Sequence, residues 1–336
     1  MTARLWIGFA LTLVAGLSAG ACMSPMKFAR RQPWEGVWLV FSIVSLLILP
    51  WSLAFAAVPN LFGVYAALPL AAFVAPVLFG AGWGVAQVLF GLSIARLGMA
   101  LGYTIIVGLG ALLGTLVPLF GRHSDIAASS RAVSLFCGVA IMLLGIAMAA
   151  WAGLKREPAR APGEATPRSS YAAAIALAIL CGIMAPMLNY AFAFGDSIAA
   201  EAVRQGHSSE TAGYAVWPIA LLGGLLPNAG YAIYLLRRNH SWTGINSSWQ
   251  RDAWCGVLMG VLWMGAFAIY GVSSVYLGPL GTSAGWALFQ IFMIMTANCL
   301  GILSAEWRNA PPSAKWGIAT SLVLLACATA LIAPRN

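Results

Sequence analysis

The chain has 336 residues, of which 61% are hydrophobic and 8% charged, with a mean hydropathy of +0.87. So little charge is too little to solvate a globular surface, which excludes an ordinary soluble protein and points to an integral membrane protein. A net charge of +9 would suggest nucleic acid in a soluble chain; here it is read as membrane topology, with no nucleic-acid partner.

Stretches of about 20 apolar residues, each able to cross the hydrocarbon core as a helix, recur along the chain. Ten helices are predicted, near 4–27, 34–57, 69–96, 98–120, 132–154, 170–195, 212–236, 253–276, 281–304 and 314–333. Helix 1 opens MTARLWIGFALTLVAGLSAGAC. Its basic residue, apolar run and small residues before Cys22 also suit a cleaved signal peptide; retention is expected, because cleavage would spoil the symmetry described below. The helix ends in Met23-Ser24-Pro25-Met26. Helix 2 begins at Trp34-Glu35, and helix 3 carries GAGWGVAQVLFGLSIARLG at 80–98, with Trp83 and Gln87 four residues apart on one face. Between helices 4 and 5 lies His123-Ser124-Asp125, the one compact grouping that could serve an enzyme. It lacks supporting polar residues, and no enzyme is expected.

After helix 5 the chain turns polar in KREPARAPGEATPRSS at 155–170. This divides it into a first five-helix unit (1–154), a cytoplasmic linker (155–169) and a second five-helix unit (170–336). Helix 6 contains Met184-Ala185-Pro186-Met187, echoing the proline segment of helix 1, and Asn189 and Tyr190 follow that proline by three and four residues. Asp196 closes the helix. Helix 8 reads GVLWMGAFAIYGVSSVYLG at 260–278. Set against the helix 3 stretch, Gly80, Trp83, Gly91, Ser93, Leu97 and Gly98 meet identical residues, and Phe90 meets Tyr270. Trp263 and Tyr270 share a face of helix 8. On helix 9, Trp286 and Gln290 repeat the spacing of Trp83 and Gln87.

Five helices per half put the second half into the membrane in reversed orientation, so the duplication predicts inverted repeats, a plan suited to alternating access and hence to a transporter. Thirteen of the 18 Lys and Arg fall on one side. That side is read as cytoplasmic, which places both termini outside. The six cysteines form no CxxC and read as packing residues, so no metal and no cofactor are expected.

The stretches SPMKFARRQPWEGVWLVFSIVSLLILPW at 24–51, GAGWGVAQVLFGLSIARLGMALGYTIIVGLGALLGTLVP at 80–118 and SAEWRNA at 304–310 together resemble the L-rhamnose/proton symporter family of the drug/metabolite transporter superfamily. The resemblance implies an all-α fold of ten transmembrane helices in two inverted five-helix repeats. Helices 1, 3, 4, 6, 8 and 9 would line a central cavity, and helices 5 and 10 would lie outside it, available for a dimer contact; monomer and homodimer both stay open. It implies import of L-rhamnose or a related deoxy sugar with protons, in the bacterial cytoplasmic membrane among its lipids. A small-metabolite exporter or an uncoupled facilitator is the alternative.

A sugar site needs aromatic faces against C–H surfaces and amides or hydroxyls for the ring OH groups. The candidates are Trp83, Gln87, Asn189, Tyr190, Trp263, Tyr270, Trp286 and Gln290. The plainer reading of each amide is a bond to a neighbouring helix, and that of most tryptophans an interfacial anchor. For the proton, His123, His207 and His240 fall in predicted loops, and none of the nine acids lies at a helix centre. Asp196 and Glu35 are the candidates for coupling. For Glu35 the plainer reading is a charge at a helix start beside Lys27, Arg30 and Arg31.

Overall fold

Hydrocarbon offers backbone N–H and C=O groups no partner, so an apolar chain crossing it satisfies them internally as helix. The computed structural model describes residues 2–29, 33–122, 130–156, 168–244 and 249–333, and among these all regular structure is helical. Among the described residues ten helices are long and apolar enough to span a membrane: α1 Ala3–Phe28, α2 Trp34–Ala57, α3 Ala71–Leu97, α4 Leu101–Gly121, α5 Val133–Arg156, α6 Tyr171–Arg204, α7 Ala212–Arg238, α8 Asp252–Leu280, α9 Ala284–Leu303 and α10 Pro312–Ile332. Apart from the far end of α6, they match the sequence expectation to within a few residues. His123-Ser124-Asp125 and most of the expected linker lie outside the described residues.

Prolines break several of these spans. In α1 the α-helix stops at Ala21 and a 3-10 turn runs over Ser24–Phe28, with Pro25 in its first turn. In α2, Pro50 has no N–H to donate to the preceding turn, and the helix widens to π geometry over Val44–Ile48. In α6, the break at Ala185–Pro186 separates Arg168–Met184 from Met187–Ala193. A further short helix, Asp196–Arg204, follows. It is polar on average, unlike the spans, and α6 therefore runs beyond the expected end at residue 195.

The spans pack in related pairs. α3 packs on α7 as α8 does on α2; α3 packs on α6 as α8 does on α1; α4 packs on α6 as α9 does on α1. α3 meets α4 and α8 meets α9, while α4 meets α5 and α9 meets α10. Further pairs are α2 with α7, α4 with α9, α5 with α10, α6 with α7, α7 with α8 and α5 with α9. Glycines allow the closest approaches. A side chain at Gly80 would run into the Ala220 carbonyl of α7, and one at Gly260 into Val44 of α2. Gly98 and Gly278, the last residues of the duplicated stretch, both have positive φ, +82° and +70°, where glycine is favoured. α5 and α10 lie against each other through Gly138, Gly145 and Gly317, and Ser321 Oγ donates to the Gly145 carbonyl at 2.7 Å.

Candidate functional site

The largest buried cluster contains Trp83, Trp217, Trp263, Phe267, Tyr270, Trp286 and Phe289, delivered by α3, α7, α8 and α9. Trp83 and Trp263, equivalent positions of the duplicated stretch, stack on each other with centroids 5.2 Å apart and planes 29° apart. Trp263 continues to Phe267 (4.5 Å), and Phe267 meets Phe289 (5.5 Å) and, edge-on, Trp217 (5.9 Å). Tyr270 packs on Phe289 at 5.2 Å and Trp286 at 5.8 Å. The result is a continuous run of offset and edge-to-face rings, the geometry that aromatic quadrupoles favour. Trp83, Trp263, Tyr270 and Trp286 are each less than 9% exposed, so the rings are closed off from both ends of the molecule.

Asn189 sits against this run just after the break in α6. Its Nδ2 donates to the carbonyls of Gly114 (3.0 Å) and Thr282 (2.9 Å), and its Oδ1 accepts from the Tyr270 hydroxyl at 2.8 Å. The Trp286 Nε1 donates to the Gly110 carbonyl at 3.2 Å. Asn189 therefore ties α4, α6, α8 and the start of α9 together. Gln290, one turn along α9 from Trp286, is buried and makes no hydrogen bond to a described residue. Gln87 is half-buried and likewise makes none among the described residues.

Not every predicted residue joins the cluster. Tyr190 is buried but turns the other way, edge-on to Phe79 at 5.7 Å and near Phe194. Asp196 is exposed in the first turn of the short helix Asp196–Arg204. Glu35 is only 3% exposed, and its Oε1 accepts from Asn239 Nδ2 at 2.6 Å, which joins the start of α2 to the end of α7.

Sequence reasoning missed Trp217, Phe192 and Ser283. Phe192 stacks on Trp217 at 5.0 Å with planes 7° apart. The buried Trp217 Nε1 and Ser283 Oγ have no hydrogen-bond partner among the described residues, an arrangement that is costly unless something else supplies one. The Trp217 Nε1 faces Gly271, where an added Cβ would lie 3.6 Å from it. Two further acids are buried, Asp252 at the start of α8 and Glu201 near the end of α6, the latter paired with Arg204. The signal for Trp217 was available as an aromatic near the start of a span, yet so are many of the 14 tryptophans. No group of three or more His, Cys, Asp or Glu side chains that could hold a metal occurs among the described residues.

Charged ties close both ends of α1. At one end Lys27 donates to Glu306, which also accepts from Ser304 (3.2 Å) and Arg156 (3.4 Å). The Lys27 hydrogen bond is the main cause that holds the Glu306 carboxyl below its ordinary value. At the other end Arg4 meets Glu210 at 3.2 Å and lies over the Tyr276 ring. Glu210 is also lowered, chiefly by its hydrogen bond from Ser208.

Residues 1–334 match the L-rhamnose-proton symport protein (RhaT) family. An L-rhamnose-proton symporter of Mannheimia succiniciproducens is 27% identical over 318 residues, 92% of each chain. Those of Yersinia pestis strain Pestoides F and Yersinia pseudotuberculosis strain YPIII are 26% identical over 321 residues, 92% of this chain and 91% of theirs.

Proposed function

Since the chain belongs to the L-rhamnose-proton symport protein family, we propose that it carries L-rhamnose, or a closely related deoxy sugar, inward across the bacterial cytoplasmic membrane together with protons. It is a multi-pass transporter and not an enzyme. Thirteen of 18 basic residues on one side support a cytoplasmic assignment for that side and outward-facing termini.

The observation that carries the site is the buried ring cluster bordered by polar groups without protein partners. Trp83, Trp263, Tyr270 and Trp286 offer flat apolar faces. The buried Trp217 Nε1 and Ser283 hydroxyl offer hydrogen bonds that no described residue takes up, and the Gln290 amide stands beside them, 7% exposed. A deoxy sugar has both a C–H face, extended by its methyl group, and a ring of hydroxyls. In this reading the closed rings are the occluded arrangement, and the substrate enters by parting the Trp83–Trp263 stack. Asn189 holds the surrounding helices in register.

Two five-helix repeats of opposite orientation, as in the drug/metabolite transporter fold, are supported by the pairing of spans. Exchanging each span for the one five later turns the α3–α7 contact into α8–α2 and leaves α2–α7, α4–α9 and α5–α10 unchanged. Trp83 touching its own counterpart, Trp263, is what an axis between the halves requires. For the proton, Glu35 is better placed than Asp196: it is shielded, and its Asn239 bond spans α2 and α7, one from each half.

Uptake of labelled L-rhamnose into proteoliposomes, with and without an inward proton gradient and against a panel of unlabelled sugars, tests the reading. Gradient-driven accumulation competed away by rhamnose is expected. Folded protein that accumulates no rhamnose, with or without the gradient, overturns it.

A further inference from the structure

Away from the ring cluster, at the end of the molecule rich in Lys and Arg, the end of α9, the loop after it and the start of α10 line a groove of about 510 Å³. Its walls are Ile302, Ile318, Ala319 and Leu322, and its rim carries Arg308 and Lys315. The backbone shapes this rim. Ala305 takes a left-handed conformation, φ +60°, immediately after α9, a strained choice for a residue with a Cβ. The turn folds back so that Glu306 N–H donates to the Gly301 carbonyl at 3.0 Å, and the chain then runs on through Arg308 to α10. Lys315 Nζ donates to the Arg308 carbonyl at 3.0 Å, which fixes the ammonium beside that loop.

The charge balance at the rim is uneven. Glu306, the carboxylate of this loop, is engaged by Lys27, Arg156 and Ser304. Arg308 and Lys315 are left exposed and without an acidic partner among the described residues. Around them stand Trp316, 74% exposed, and Trp307, under the Arg156 guanidinium at 4.8 Å. Such tryptophans mark the depth of the lipid headgroups. Apolar walls below two free cations at headgroup depth complement an amphiphile with an anionic head. A zwitterionic lipid brings its own cation and gains less from Arg308 and Lys315.

We propose that this groove is a binding site for an anionic phospholipid, with its phosphate between Arg308 and Lys315 and an acyl chain along Ile302, Ile318 and Leu322. Its occupancy joins α9 to α10 from outside and does not depend on the sugar site.

Native mass spectrometry of the full-length protein in detergent, titrated with phosphatidylglycerol or phosphatidylcholine, tests this. Phosphatidylglycerol is expected to be retained roughly tenfold better by the unaltered chain. The double variant R308A/K315A should reduce it to the phosphatidylcholine level, and R308K/K315R should keep the preference. Ala319→Trp, which fills the groove without changing charge, should lower retention of both lipids. Inorganic phosphate should not displace the bound lipid. Equal retention of the two lipids by the unaltered chain overturns the proposal. So does undiminished phosphatidylglycerol binding in folded R308A/K315A or A319W, or displacement by phosphate alone.

Discussion

Asn189 and Gln290 carry the same amide in the same buried region, yet only one is in use by the protein. The carboxamide of Asn189 is taken up by the Gly114 and Thr282 carbonyls and the Tyr270 hydroxyl, while Gln290 makes no hydrogen bond to a described residue. Leaving one buried partner unsatisfied costs about 1–3 kcal/mol. Tyr270→Phe, which strands the Asn189 Oδ1, should therefore lower thermal stability in detergent by an amount in that range. Gln290→Leu should leave the melting temperature nearly unchanged and weaken sugar binding by about 1–3 kcal/mol, read by isothermal titration. A Gln290→Leu protein of lowered stability and full affinity would reassign that amide to the scaffold. Glu35→Gln keeps the size of the side chain and its capacity to accept from Asn239 but cannot carry a proton. It should abolish gradient-driven accumulation and preserve exchange of internal for external sugar; accumulation that persists removes Glu35 from the coupling. The sequence showed which residue types were present and their spacing along each helix. It could not show which amide already had partners, because Gly114 and Thr282 contribute only backbone carbonyls, which every residue has.

Among the elements, the spans themselves were legible because length and hydropathy suffice to find a helix in hydrocarbon. Their rotation was not. A helix apolar on all sides has no polar face to mark its exterior, so nothing in α7 distinguished Trp217, fully buried, from Trp254 of α8, which is 70% exposed. The duplicated stretch was a partial exception, since its shared Gly80 and Gly260 fall at close contacts with α7 and α2. Gly80 and Gly91 lie on the same helix and predict opposite outcomes. A side chain at Gly80 collides with the Ala220 backbone, whereas at Gly91 nothing lies within 4 Å. Gly80→Val should cost about 1–3 kcal/mol by overpacking or prevent recovery of monodisperse protein. Gly91→Ala should be neutral or stabilise by up to about 1 kcal/mol through helix propensity. Equal melting temperatures for the two variants would contradict the α3–α7 contact.

Across the whole molecule, α1 is fastened at both ends, by Lys27 to Glu306 and by Arg4 to Glu210. Both carboxyls lie below the ordinary value of 4.5. A carboxyl lowered by folding stabilises fully above its unfolded value and loses that contribution as the pH falls through the folded one. The ties should thus hold at neutral pH and release only below about pH 4.5. The partly exposed Lys27–Glu306 pair contributes about 0–1 kcal/mol, so the effect is small and is best read as a difference. The melting temperature of Glu306→Gln should fall slightly short of the unaltered chain at neutral pH and converge with it in acid; a gap independent of pH would mean that the Lys27 tie is not what the substitution removes. At this scale the kinship of helix 3 and helix 8 was legible, because they share seven identical residues at one offset, Ala86 and Ala266 among them. The meeting of their tryptophans was not, since a repeat in sequence does not say how close its copies lie. That meeting makes the protein its own optical gauge. Two indoles stacked at 5.2 Å couple their excited states and should give a paired positive and negative band in ultraviolet circular dichroism, isolated by subtracting the spectrum of Trp83→Phe. Because one ring stands on α3 and the other on α8, the band's amplitude should fall as these two helices separate, so their parting can be followed in unlabelled protein.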